Sequence, residues 1–179
     1  MIHAMLDVEA LRLAPAWQAP LMEVGVLFFD GTGYAGDGHT IWIDQKTMPA
    51  EFTPEESTVK WWEGEAYWPI LKQSMESLGD PCEEAIRKLG EILKQADVVW
   101  FAGPTYDQVM IEAYFDHFKM ERPWKYNNTR DFRTIRKQHD DIYKEAFAAR
   151  HGHHCAIEDC HFQVSVLRKI FEKTRVAWR

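Results

Sequence analysis

The chain has 179 residues, 46% of them hydrophobic and 27% charged, with a net charge of −7. That length suits a single domain over residues 1–179, and the acidic balance counts against sequence-independent duplex binding, which relies on broad phosphate neutralisation. Asp7 and Glu9 fall where a signal peptide would need an unbroken apolar core, and no apolar run reaches membrane length, so a cytoplasmic protein without membrane contacts is expected.

Residues 3–8 (HAMLDV), 22–30 (MEVGVLFFD) and 39–44 (HTIWID) read as three strands, the last two joined by a glycine-rich link, which predicts an antiparallel meander. Residues 55–76 carry helical spacing and predict two short helices broken near Gly64 or Pro69. Asp80-Pro81-Cys82-Glu83 predicts a helix start, with Asp80 as N-cap, Pro81 at the first helical position and Glu83 closing a capping box. Ala85, Leu89, Ile92 and Leu93 form the apolar face of that helix. DVVWFAG (97–103) is a continuous apolar run, as in a buried parallel strand. Thr105 is the expected cap of a helix running to about Met120. A short strand near 124–127 and a helix across 132–148 follow. A last helix begins near Ala156, with Cys160, Val164, Leu167 and Phe171 recurring at helical spacing. This order predicts an α/β fold: a mixed sheet in which the antiparallel three-strand meander is continued by two parallel strands, with helices on both faces.

Asp7 and Glu9 stand at i and i+2 of the first strand, so both carboxylates project from one side while Val8 enters the core. Two acids on one face of an apolar strand repel each other unless a cation lies between them. Asp107 follows the apolar run at 97–103, at the carboxyl end of a parallel strand, where α/β sheets place ligand sites. Its alternative role is helix capping. In His154-Cys155-Ala156-Ile157-Glu158-Asp159, the small residue at 156 permits close packing of a helix on the sheet. On one continuous helix His154 and Asp159 would lie roughly 140° apart, so the helix is expected to begin after His154.

Asp7-Val8-Glu9, Tyr106-Asp107 after a glycine-ended strand, and His154-x-Ala156-x-x-Asp159 together resemble the DEDDh exonuclease pattern. Residues 58–63 (TVKWWE) and 123–134 (PWKYNNTRDFRT) resemble, more narrowly, the small subfamily of phage exonuclease A and mycobacterial 3′–5′ exoribonucleases. The resemblance implies an RNase H-like fold and a 3′–5′ exonuclease acting on single-stranded RNA or DNA 3′ ends and releasing nucleoside 5′-monophosphates. It implies two Mg²⁺ or Mn²⁺ ions held by Asp7, Glu9, Asp107 and Asp159, with His154 as general base. It also implies a homodimer, and a bacterial or phage-infected host cytoplasm. Ala10 departs from the Thr or Ser usual after the second acid; it and Leu11 are expected at the substrate.

Trp61 and Trp62, adjacent on a helix, point to different faces, one to the core and the other free to stack on a base. Tyr106 is expected in the core, and Trp124 and Tyr126 at a partner subunit or a strand end. Between Lys119 and Lys137, seven cations face only Glu121 and Asp131; this is either a solvated face or a backbone grip, with Arg130 and Arg133 as phosphate contacts. Cys82, Cys155 and Cys160 are odd in number and split, which argues against a disulfide framework. The competing readings are a zinc module of His151, His153, His154, Cys155, Cys160 and His161, and a nucleic-acid-binding protein without catalysis.

Overall fold

A computed structural model describes residues 1–33, 35–149 and 154–175, with the side chain of Asp37 left aside. Five strands, β1 (Ile2–Ala10), β2 (Leu21–Asp30), β3 (Ala35–Trp42), β4 (Val98–Phe101) and β5 (Thr129–Asp131), form one sheet in the order β3-β2-β1-β4-β5. The β1–β2 and β2–β3 pairs are antiparallel, while β1–β4 and β4–β5 are parallel. The expected mixed sheet is therefore present, and the fold is RNase H-like.

The two-residue period of β1 divides the core. Ala4, Leu6, Val8 and Ala10 pack on one face, with Ala85, Ile86 and Leu89 of α3 (Cys82–Leu93) and Met110, Ile111 and Tyr114 of α4 (Val109–His117). Met5 looks the other way, toward α5 (Phe132–Gln138), α6 (Asp140–Ala148) and the long α7 (Ala156–Thr174). A smaller cluster joins Met22 to Trp62 of α1 (Glu56–Glu63) and to Leu71 and Met75 of α2 (Trp68–Leu78).

One approach positions everything that follows. A Cβ on Gly25 of β2 would lie 2.5 Å from the Ala156 carbonyl carbon and 2.6 Å from the Ile157 nitrogen, so the start of α7 rests directly on the sheet backbone. Any side chain at 25 would push that helix turn outward. The Cys160 thiol, one turn on, donates to the carbonyls of Met5 and Gly25 at 3.5 and 3.4 Å.

Several local expectations are corrected. Asp80 does not cap α3: the Cys82 N–H is taken by the Thr47 hydroxyl at 2.8 Å, and Asp80 pairs with Lys88 instead. Thr105 lies inside a wide π-type turn, Pro104–Gln108, entered from Gly103, and α4 stops at His117. The strand expected near 124–127 comes later, at β5, after a 3-10 turn over Tyr126–Asn128. The helix expected across 132–148 is two, because His139 leaves helical geometry at φ −131°, ψ 49°. Trp124 belongs to the core, edge-on to Phe101 and Phe115, rather than to a partner surface, whereas Tyr126 is exposed.

Candidate active site

Asp7 and Glu9 share the β1 face that looks toward α7, and both are buried. β1 outruns β4 here: the parallel pairing ends at Leu6 and Phe101, which leaves Val8 without a strand neighbour on that side. Asp107 fills the gap. Its carboxylate accepts from the Gly103 N–H at 2.7 Å and is also held by the backbone N–H groups of Val8 and of Asp107 itself. The turn after β4 thus ties the third acid to the strand that carries the first two.

α7 supplies the rest. Ligand atoms of Glu9, His154 and Asp159 lie within 4.8 Å of one another, the one group among the described residues spaced so that it could hold a metal ion. Cys155 is the N-cap and the helix begins at Ala156, so His154 stands on the preceding loop as the spacing required. The start of α7 is pinned by Glu23 of β2, wholly buried, which accepts from the Ala156 N–H at 3.1 Å and from the Tyr67 hydroxyl at 3.2 Å. One turn beyond Asp159, buried Gln163 donates to Asp7 Oδ1 at 2.6 Å.

These carboxylates repel one another in a dry place. Burial, and then the charges of Asp7, Glu23 and Asp107, hold the Glu9 carboxyl well above the usual range. Burial raises Asp107 to about 6, against the pull of its N–H donors and of the Arg133 guanidinium. The guanidinium is close, since a Cβ on Gly103 would lie 3.1 Å from its central carbon. The donor set, carboxylate oxygens with one imidazole, fits hard divalent cations such as Mg²⁺ or Mn²⁺.

The raised Asp107 value has a consequence for stability. A proton bound more tightly in the folded state stabilises fully below the unfolded value of 3.8, and that stability is lost as pH rises through about 6. Without divalent ions the protein is expected to lose up to about 3 kcal/mol from this group between acidic and neutral pH. Urea midpoints in EDTA across that range, compared with Asp107→Asn, measure the difference; an equally steep Asp107→Asn profile would contradict it.

Beside the acids lies a pocket of about 450 Å³, lined by Glu9, Ala10, Leu13, Trp61, Tyr106 and His154 among others. Trp62 is the core ring of its pair, its indole N–H donating to the Ala10 carbonyl at 3.0 Å, while Trp61 is 45% exposed at the pocket. Both also meet the His154 ring edge-on, with centroids at 4.8 and 6.1 Å. Tyr106, expected in the core, packs against it but also lines the pocket, its hydroxyl donating to the Arg12 carbonyl at 2.8 Å. Leu11 lines a separate pocket with Trp68 and Lys72.

The basic cluster divides. Arg122 pairs with Glu112 and Asp116, Arg136 lies over the Tyr143 ring, and Arg130 donates to the Asn127 and Thr129 carbonyls of its own loop. Arg133 is the member drawn to the acids. His151 and His153 lie outside the described residues. Cys160 points into the sheet, away from the His154 group, so the zinc grouping does not form among the described residues. Sequence reasoning passed over Gln163 and Leu13. Gln163 carried a signal, since i+4 from Asp159 repeats its helix face.

A comparison with curated protein sequences gives no significant match. Solved structures show the fold. Exonuclease I from E. coli, in complex with a dT13 oligonucleotide, superposes with a TM-score of 0.74 at 13% identity over 97% of this chain and 42% of that one. The chain therefore spans less than half the length of that relative. Exonuclease I from Methylocaldum szegediense gives 0.71 at 11% identity, over 97% of this chain and 41% of that one. The nuclease domain of 3′hExo, a DEDDh family member bound to rAMP, gives 0.65 at 11% identity, over 96% and 92%. The sequence model of the 3′–5′ exoribonuclease Rv2179c-like domain matches residues 2–171, nearly the whole chain, which therefore belongs to that family.

Proposed function

We propose that the chain is a 3′–5′ exonuclease of single-stranded nucleic acid that releases nucleoside 5′-monophosphates. The observation that carries this is the meeting of Glu9, His154 and Asp159, beside buried Asp7 and Asp107, at the mouth of an aromatic pocket. Asp7, Glu9, Asp107 and Asp159 would hold two Mg²⁺ or Mn²⁺ ions. When bound, such ions neutralise charge on the scissile phosphate and on the attacking and leaving oxygens.

The chain's own groups do the remaining work. His154, exposed and braced edge-on by Trp61 and Trp62, takes the proton of the attacking water. The pocket receives the terminal nucleoside, with the exposed Trp61 ring as a surface for the base, and its volume is of nucleotide size. Arg133, within reach of the Asp107 carboxylate's field, meets a phosphate oxygen of the entering strand. An unpaired end enters such a pocket without prior melting, which favours single strands.

Matched RNA and DNA oligonucleotides, labelled at the 5′ end, should shorten stepwise from a free 3′ hydroxyl in the presence of Mn²⁺. Circular single strands should survive. Rapid cutting of circles would mean an endonuclease, and the ratio of the linear RNA and DNA rates identifies the preferred sugar.

A further inference from the structure

The Asp7 carboxylate has a dedicated partner that the ion-binding scheme above does not use. We propose that Gln163 is a positioning residue for Asp7: its carboxamide holds one carboxylate oxygen so that the other faces the divalent ions. This rests on the two-ion reading of the site.

Gln163 Nε2 donates to Asp7 Oδ1 at 2.6 Å across 156 residues of chain, and both side chains are buried. The donor is on a firm base. α7 is seated on Gly25 and held by the Cys160 thiol, three residues before Gln163, on the carbonyls of Met5 and Gly25. The same helix presents Asp159 one turn earlier, so one rigid element carries an ion ligand and sets the orientation of another. Packing alone would favour carbon here. The neighbouring Val164, Val166 and Leu167 are apolar and buried, and the second polar atom of Gln163, Oε1, has no hydrogen-bond partner among the described residues. A buried acceptor without a partner costs stability that a methionine of similar volume would not. The choice of carboxamide is also chemical. It donates without charge, whereas lysine or arginine would neutralise Asp7 and compete with the cations.

The test uses Gln163→Met, which keeps the volume and removes the donor, and Gln163→Asn, which keeps the carboxamide but falls a methylene short. Mn²⁺ affinity measured by calorimetry is expected to weaken by about 10–100-fold in both variants. The kcat should fall by at least about tenfold with the oligonucleotide KM unchanged. Without divalent ions, Gln163→Met should unfold at the same or a higher urea concentration than wild type. In an Asp7→Ala background, Gln163→Met should change neither Mn²⁺ affinity nor residual rate, because a residue acting through the Asp7 carboxylate has nothing left to act on. Wild-type-like Mn²⁺ isotherms and kcat in both single variants, or an effect that persists undiminished in the Asp7→Ala background, would overturn the assignment alone. A wild-type protein that takes up no Mn²⁺ would overturn the ion reading, and this inference with it.

Discussion

Asp7→Asn is expected to lower kcat by at least about 10³-fold at saturating Mn²⁺, since the charge stabilisation supplied by paired ions amounts to several kcal/mol and each 1.36 kcal/mol is a factor of ten. Asp7 is the acid on which the others converge. It shares a strand face with Glu9, whose carboxyl its charge raises, and it receives the Gln163 amide. Asparagine has nearly the same volume and its Oδ1 can still accept from Gln163, so no cavity opens. Removing one negative charge from a buried carboxylate group also relieves repulsion. The melting temperature of the ion-free variant should therefore equal or exceed that of wild type, while the rise on adding Mn²⁺ should shrink. Single-turnover rates on a labelled strand, with melting curves with and without Mn²⁺, separate the two effects. Retention of more than about a tenth of the wild-type rate would contradict the ion assignment.

His154→Ala is expected to lower the single-turnover rate by about 10²–10⁴-fold, the range for loss of a general base. The ring is exposed and meets Trp61 and Trp62 edge-on, so its removal costs little packing. Its position within ligand distance of Glu9 and Asp159 allows a second role, as an ion ligand. Mn²⁺ affinity distinguishes them: a base leaves it nearly unchanged, and a ligand does not. His151→Ala and His153→Ala should lose far less. A larger defect at His153 would show that the motif is read one position out of place.

Where structure follows from neighbours along the chain, the sequence was legible. The continuous apolar runs became β2 and β4, the i, i+2 spacing put Asp7 and Glu9 on one face, and the rotation between His154 and Asp159 required the helix to start at Ala156. The misread places depend on partners elsewhere. β5 has three residues and exists because β4 offers it an edge. The cap of α3 comes from Thr47, 35 residues away, rather than from the adjacent Asp80. Trp124 looked like a surface aromatic beside a basic cluster until Phe101 and Phe115 closed around it.

The candidate site divides in the same way. Residue types, order and spacing, read with the resemblance to the DEDDh pattern, marked Asp7, Glu9, Asp107, His154 and Asp159 as candidates, and the structure brings Glu9, His154 and Asp159 within 4.8 Å of one another. Tertiary structure alone brought in Gln163 as the partner of Asp7, Glu23 as the clamp on Ala156, and Arg133 instead of Arg130 as the cation near Asp107. Each of those choices turns on how closely α7 or the turn after β4 approaches the sheet. That approach is set by a missing Cβ at Gly25 and a backbone donor at Gly103, features whose meaning appears only when the opposite surface is in place.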